Sequence, residues 1–302
     1  MNSNPSGIYP MLYAFYSADG ALDRDAMRRQ TECCIDAGAH GIAVLGLMTE
    51  VAQLSVAERL QLIEWTAEDI NGRVPLSTTI AGETAAEQLQ LARQAEALGS
   101  NWLVLQPPKS HKPNEAELMR FFGTVMDGVG IPTGIQNFPE VLGVGLTPKG
   151  VGELHRQHDN FTVMKGEGPV YQIRQYMDAS NGGIHIFNGR GGIELPDNLY
   201  AGCAGIIPAP DCVDVQVEMF NAFVRGDIDR VDQLYALTLP YVIFVMQSVD
   251  FALTYGKRLT ARRIGLNDNI SVRNRQINDD EFGLARLDKH ANFLGPFGSW
   301  AE

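Results

Sequence analysis

Short apolar, β-branched runs alternate with longer segments of helical period over the first two thirds of the chain. The runs open near Ile8 (IYPMLYAF), His40 (HGIAVLG), Val74 (VPLSTTIAG), Asn101 (NWLVLQPP), Pro132 (PTGIQNF), Phe161 (FTVMKGE), Gly183 (GIHIFNG) and Ala204 (AGIIPAP). Their starts lie roughly 20 to 35 residues apart, the length of a strand plus a crossover helix. The segments between them carry helix signals. Ser55 with Glu58 spells a capping box, and Leu60, Ile63 and Trp65 give the following helix an apolar side. Thr84 with Glu87 spells a second box, terminated by Gly99. Thr147 followed by Pro148 opens another helix with proline at its first position. Val213, Val217, Phe220 and Val224 predict one apolar face after the eighth run.

Eight strands with interleaved helices predict a parallel sheet covered on its outer face, and eight is the number that closes. The expected fold class is therefore α/β, a (β/α)8 TIM barrel. An open doubly wound sheet would want a glycine-rich fingerprint after the first strand, and YSADGALD has none. From about Asp227 the strand rhythm stops, and two helices broken near Pro240 are expected. Residues 1–226 are thus read as the barrel and 227–302 as a C-terminal helical extension packed on it.

Composition narrows the partners. The chain of 302 residues is 45% hydrophobic, enough for a substantial core, so intrinsic disorder is excluded. Lys and Arg number 24 against 36 Asp and Glu, a net charge of -12, which disfavours nucleic acid and anionic membrane as partners. Cys33, Cys34, Cys203 and Cys212 form neither a CxxC pair nor a disulfide framework, which fits a reduced compartment. The start MNSNPSG lacks the pattern of a signal peptide, and the apolar stretch Tyr241 to Met246 is too short to span a bilayer. A cytoplasmic location is expected.

In such a barrel the chemistry sits at the C-terminal ends of the strands. Lys165 is the lysine that falls inside a predicted strand, after Phe161, Val163 and Met164. An ammonium turned into an apolar barrel is costly, which favours the free amine that attacks a carbonyl carbon. A lysine at the solvated mouth, or one merely paired with Glu167, is the alternative reading. Glu167, two residues on, shares the inward side of the strand and suits either pairing or proton transfer. No HxH or HExxH spacing points to a metal.

The order of elements resembles the dihydrodipicolinate synthase / N-acetylneuraminate lyase family of Schiff-base aldolases and dehydratases, over about Gly7 to Gly265. The resemblance rests on GIAVLGLMTEVAQLSVAER, IQNFP, VMKGEGP and LYAGCAGIIPAP in that order. It implies that Lys165 forms an imine with a small 2-oxo acid, without metal or organic cofactor, in a homotetramer. It also implies a carboxylate site after strand two, here at Met48, Thr49 and nearby backbone. Three departures stand out. The usual strand-two hydroxyls are Leu47 and Met48, the usual strand-five tyrosine is Gln136, and PPKSHKPN lacks the customary aromatic pair. Gln136 can orient groups but not exchange protons near neutrality. With Lys165, Glu167 and Pro169, this pattern is most similar to the branch containing 2-keto-3-deoxyarabonate dehydratase. Asn137 and Gly189 join the candidate substrate contacts. Arg190 in NGRGG suits a distal anionic group, or pairing with Glu194. Dehydration of a 2-keto-3-deoxy sugar acid is the first expectation and pyruvate-dependent aldol cleavage the second. An aldolase for a phosphorylated substrate and a non-catalytic 2-oxo acid binding barrel are the remaining alternatives.

Overall fold

The computed structural model describes residues 5–267, 270–273 and 276–300. Its strands are β1 (Gly7–Ile8), β2 (Ile42–Val44), β3 (Leu76–Ile80), β4 (Trp102–Leu105), β5 (Thr133–Asn137), β6 (Phe161–Gly166), β7 (His185–Asn188) and β8 (Gly205–Ile206). Each pairs in parallel with the next from β2 to β8, and β8 pairs with β1. The remaining seam closes just past β1. Met11 bridges Ala43, the Ala43 amide donates to the Pro10 carbonyl at 2.9 Å, and the Leu12 amide donates to the Ala43 carbonyl at 2.9 Å. The sheet therefore has no free edge, and the fold is the expected eight-stranded barrel.

Helices α1 (Arg24–Asp36), α2 (Val56–Ile70), α3 (Ala85–Ala97), α4 (Glu115–Met126), α5 (Pro139–Leu142), α6 (Pro148–Gln157), α7 (Val170–Ala179), α8 (Leu195–Ala201) and α9 (Val213–Arg225) follow the strands in turn. The boxes at Ser55 and Thr84 form as read, and a third forms at Asn114 with Glu117. Val213 and Val217 are buried on α9, but Val224 is 69% exposed. It lies in the last turn before the Gly226 cap, where Ala222 and Phe223 rather than Val224 pack on the core.

Inside the strands, Tyr9, Met11, Ala43, Trp102, Val104, Val163, Phe187 and Ile207 make a separate buried cluster. Tyr9 meets Trp102 and Phe187 edge-on at 5.4 and 5.2 Å between ring centroids, and Trp102 stacks on Phe187 at 5.3 Å. These three rings form a dry plug. Burial pushes the Tyr9 hydroxyl up to about 12, so it stays protonated. Gly41 makes room for the plug, since a Cβ there would come within 2.0 Å of the Tyr9 ring.

Beyond the barrel lie α10 (Ile228–Val245), α11 (Val249–Phe251), a π-helical turn (Ala252–Gly256), α12 (Lys257–Arg263) and α13 (Glu281–Leu294). The expected break at Pro240 is absent, and α10 runs through it. Pro240 and Ala236 both lie on the exposed side of α10, where a carbonyl that proline leaves without a donor is least costly. The chain turns instead after Val245, where Ser248 caps α11 and the axis bends by 107°. No single helix among the described residues is long and apolar enough to cross a membrane. Arg263 anchors this region to the barrel through Asp214, with hydrogen bonds of 2.9 and 2.8 Å. Asp211 caps no helix; its buried carboxylate accepts from the Tyr241 hydroxyl at 2.5 Å.

The segment 270–273 returns to the loops after β1 and β2. Arg273 donates to Glu58 at 2.6 Å, Gly20 O at 2.8 Å and Gln53 O at 3.1 Å. The Arg273 hydrogen bond holds the Glu58 carboxyl down to about 2, against an ordinary 4.5. A carboxyl more acidic in the folded than the unfolded chain stabilises fully above its unfolded range, and that contribution is lost as pH falls through the folded value. Between pH 4.5 and about 2, hydrogen exchange in residues 270–273 is therefore expected to rise ahead of exchange in the barrel strands. Glu58→Gln should remove most of this acid-side dependence; an unchanged profile would show that another group sets it.

Candidate active site

Alternation along the strands decides what faces the barrel interior. Val163 lies in the interior cluster, so Lys165 and Glu167, two and four residues on, extend the inward row at the C-terminal end of β6. Val104 likewise leads to Gln106, and Phe187 leads to Gly189. Lys165 pairs in register with Gln136 on one side and Phe187 on the other. Four polar side chains thus gather above the aromatic plug.

Lys165 is 7% exposed, inside the barrel rather than at its wet rim. Its Nζ stands 3.5 Å from Glu167 Oε1. The other carboxylate oxygen accepts from Gln136 Nε2 at 2.5 Å, and Gln136 Oε1 accepts from Gln106 Nε2 at 2.8 Å. Gln88 completes the chain by donating to the Gln106 backbone carbonyl at 2.7 Å. The order of amides has a consequence. Because Gln106 occupies the Gln136 oxygen, Gln136 presents its NH2 to Glu167, which accepts from it. Gln106 is the functional candidate that sequence reading passed over. Its signal was a glutamine at the end of an inward row of a neighbouring strand, two residues past Val104.

Gly189 touches Glu167 directly. A Cβ at that position would meet Glu167 Oε1 at 2.1 Å and Cδ at 2.7 Å, so only glycine leaves the carboxylate where it is. The following residues Arg190, Gly191 and Gly192 all have left-handed backbone, with φ of 51, 62 and 84°. For Arg190 that conformation is strained, as is common at functional loops. Its guanidinium Nη1 lies 3.6 Å from Glu194 Oε2, so the surface-pairing alternative is realised in this structure. Asn188 holds the loop by donating to Gly168 O at 3.1 Å and Asn198 Oδ1 at 3.0 Å.

Two predicted contacts are engaged elsewhere. The Thr49 hydroxyl donates to Leu12 O at 2.7 Å and accepts from Leu45 N at 3.0 Å, tying the loop after β2 to the end of β1. The Asn137 amide is spent on Leu146, donating to its carbonyl at 3.0 Å and accepting from its amide at 2.8 Å. Met48 is half-buried and packs against the interior cluster. Among the described residues, the backbone N–H groups of Leu47, Met48 and Thr49 find no acceptor. The loop therefore offers backbone donors, whereas its threonine hydroxyl is committed.

His40 accepts from Ile8 N through Nδ1 at 3.2 Å and meets the Phe220 ring, a core role. After β4, Glu83 ties down the loop by accepting from the Lys109 and Ser110 amides, at 3.1 and 2.8 Å. Among the described residues, no group of three or more His, Cys, Asp or Glu side chains could hold a metal ion. The arrangement is a buried amine with a carboxylate within reach, at the C-terminal ends of the strands. It can form an imine and move a proton at the adjacent carbon.

Comparison with known proteins agrees with this chemistry. Residues 4–270 match the model of the dihydrodipicolinate synthetase family. A 4-hydroxy-tetrahydrodipicolinate synthase of Pelobacter propionicus is 29% identical over 220 residues, covering 72% of this chain and 75% of that protein. The Escherichia coli K12 protein YagE, assigned by name as a 2-dehydro-3-deoxy-D-gluconate aldolase, is 28% identical over 259 residues, covering 81% and 86%. A solved structure named as a dihydrodipicolinate synthetase from Pseudomonas aeruginosa superimposes with a TM-score of 0.89 at 27% identity, covering 96% of this chain and 99% of that one.

Proposed function

The chain belongs to the dihydrodipicolinate synthetase family and is a lyase of that family, and on this premise we propose that it dehydrates a 2-keto-3-deoxy sugar acid through an imine on Lys165. The observation that carries the reading is the Glu167 carboxylate, 3.5 Å from the amine and gripped by Gln136 where the resemblance would place a phenol. An amide cannot relay the proton of a cleaving hydroxyl, whereas a carboxylate beside the amine can work at the adjacent carbon.

In this reading Lys165 Nζ adds to C2 of the substrate and water leaves as the imine forms. Glu167 then takes a proton from C3, giving the enamine. The enamine electrons expel the C4 hydroxyl, which departs as water with the proton returned from Glu167. A C3–C4 double bond remains, conjugated to the imine, and hydrolysis frees the amine and an unsaturated 2-oxo acid. The backbone amides at 47–49 receive the C1 carboxylate, with Met48 and Thr49 shaping that loop. Gln136 orients Glu167, Gly189 leaves room for it, and Asn137 holds the neighbouring loop. Arg190 receives the distal end of the substrate, its strained backbone supporting that role. We further propose that the working unit is a homotetramer, with residues 227–302 as its helical extension, which light scattering of the full chain checks.

The names of the relatives favour a second reading, pyruvate-dependent aldol cleavage. One experiment separates the two. The protein is incubated with 2-keto-3-deoxy-pentonates and -hexonates, and products are followed by NMR and mass spectrometry. The expected result is a product 18 mass units lighter with its carbon chain intact, the loss of one water. Release of pyruvate with the complementary aldehyde would overturn dehydration and establish the aldolase reading.

A further inference from the structure

The loop after β2 is bracketed by two non-glycine residues in left-handed backbone, Leu45 at φ 66° and Glu50 at φ 56°. Such conformations persist only where the surroundings over-determine them, and they gather at ligand clamps. Between them lie the acceptor-less amides of Leu47, Met48 and Thr49. What holds the loop in this shape comes from more than two hundred residues away in the chain.

The Glu50 carboxylate is buried. One oxygen accepts from Lys257 Nζ at 2.9 Å and the other from the Arg273 amide at 2.7 Å. Lys257 is wholly buried, donates also to Ser271 O at 2.6 Å, and stands 4.7 Å from the centre of the Tyr16 ring. The Arg273 guanidinium lies 4.4 Å from the same ring. Tyr16, at the end of the first strand run, is therefore held by two cations, a favourable arrangement for an aromatic face. The π-helical turn Ala252–Gly256 delivers Lys257 to this place, and Gly256 is needed there because a Cβ would strike the Tyr13 hydroxyl at 2.5 Å.

A buried ion pair is poor evidence of stability, because desolvation offsets most of its attraction, but it fixes geometry strongly. Here the geometry fixed is that of a row of backbone donors at the C-terminal end of β2, the same end of the barrel as Lys165. We propose that Glu50, Lys257 and Arg273 form a latch that preorganises the loop after β2 as a receptor for the substrate carboxylate, with Lys257 and Arg273 as positioning residues of that site. This rests on the imine reading above. It adds that the C-terminal segment, though it contributes no reacting atom, sets the affinity for the carboxylate end of any substrate.

The test uses the full-length protein and borohydride trapping of Lys165, measured against the concentration of pyruvate and of methyl pyruvate, which lacks the charge. Two variants keep it decisive. Glu50→Gln with Lys257→Met removes the ion pair without leaving a lone buried charge, and Arg273→Ala loosens the segment from its exposed side. In folded variants the half-saturating pyruvate concentration should rise about tenfold or more, while the trapping rate at saturation stays within about twofold. Half-saturation by methyl pyruvate should not change, so preference for the free acid collapses. A merely structural role would lower the melting temperature and leave that preference intact, which would overturn the latch. Equal weakening of both compounds would overturn it as well. If the unaltered protein traps no pyruvate at all, the imine reading itself fails and takes the latch with it; trapping in the unaltered protein with unmoved half-saturation in the variants defeats the latch alone.

Discussion

Replacing Lys165 by methionine is expected to abolish the borohydride-trappable adduct and to cut turnover by about 10⁴-fold or more. The side chain length is nearly kept, so the barrel should remain folded and helical by circular dichroism. The physical reason is a contrast between two buried lysines. Lys257 is the more deeply buried, but Glu50 and Ser271 O hold it at 2.9 and 2.6 Å beside an aromatic ring. Its ammonium is engaged and has no space for a substrate. Among the described residues Lys165 has one long contact, Glu167 at 3.5 Å, at the C-terminal end of β6. Burial with little coordination marks a reactive amine. Mass spectrometry after reduction with pyruvate should place the added mass on Lys165 in the unaltered protein and nowhere in the variant. An adduct persisting in Lys165→Met would reject the site.

The next largest effect is expected for Glu167→Gln. General acid–base groups contribute about 10² to 10⁴ in rate, and kcat should fall within that range. Imine formation with pyruvate should survive, because the amine is untouched. The substitution also turns a carboxylate oxygen into an NH2 opposite the Gln136 amide, 2.5 Å away in the present arrangement. One amide must rotate, and the Gln106 contact at 2.8 Å resists that rotation. The expected signature is therefore adduct capture near the normal level, with turnover to product slowed by orders of magnitude. Stopped-flow capture alongside steady-state turnover measures both. Equal loss of both would show that Glu167 serves only to hold the lysine.

The barrel was legible because its strands are short apolar runs at even spacing, and because Ser55–Glu58 and Thr84–Glu87 announce their helices locally. Lys165 was legible for a similar reason, since a charged residue two places after an inward valine contradicts its surroundings. What stayed hidden depends on contacts between distant parts of the chain. The role of Gln106 exists only through Gln136, 30 residues on. The commitment of Thr49 and Asn137 to Leu12 and Leu146 could not be seen without the folded loops. Pro240 misled because its cost depends on surroundings, and here it and Ala236 lie on the exposed side of the helix. The Glu50–Lys257 pair spans 207 residues, beyond any periodicity argument.

The three rings under Lys165 make the reaction chamber a cul-de-sac. Reactant, expelled water and finished product must all share one doorway at the strand ends, so traffic is sequential: nothing new enters until the last occupant has gone. Substituents that widen the base would give small molecules a back exit, and would loosen any tie between departure of product and the pace of the whole cycle.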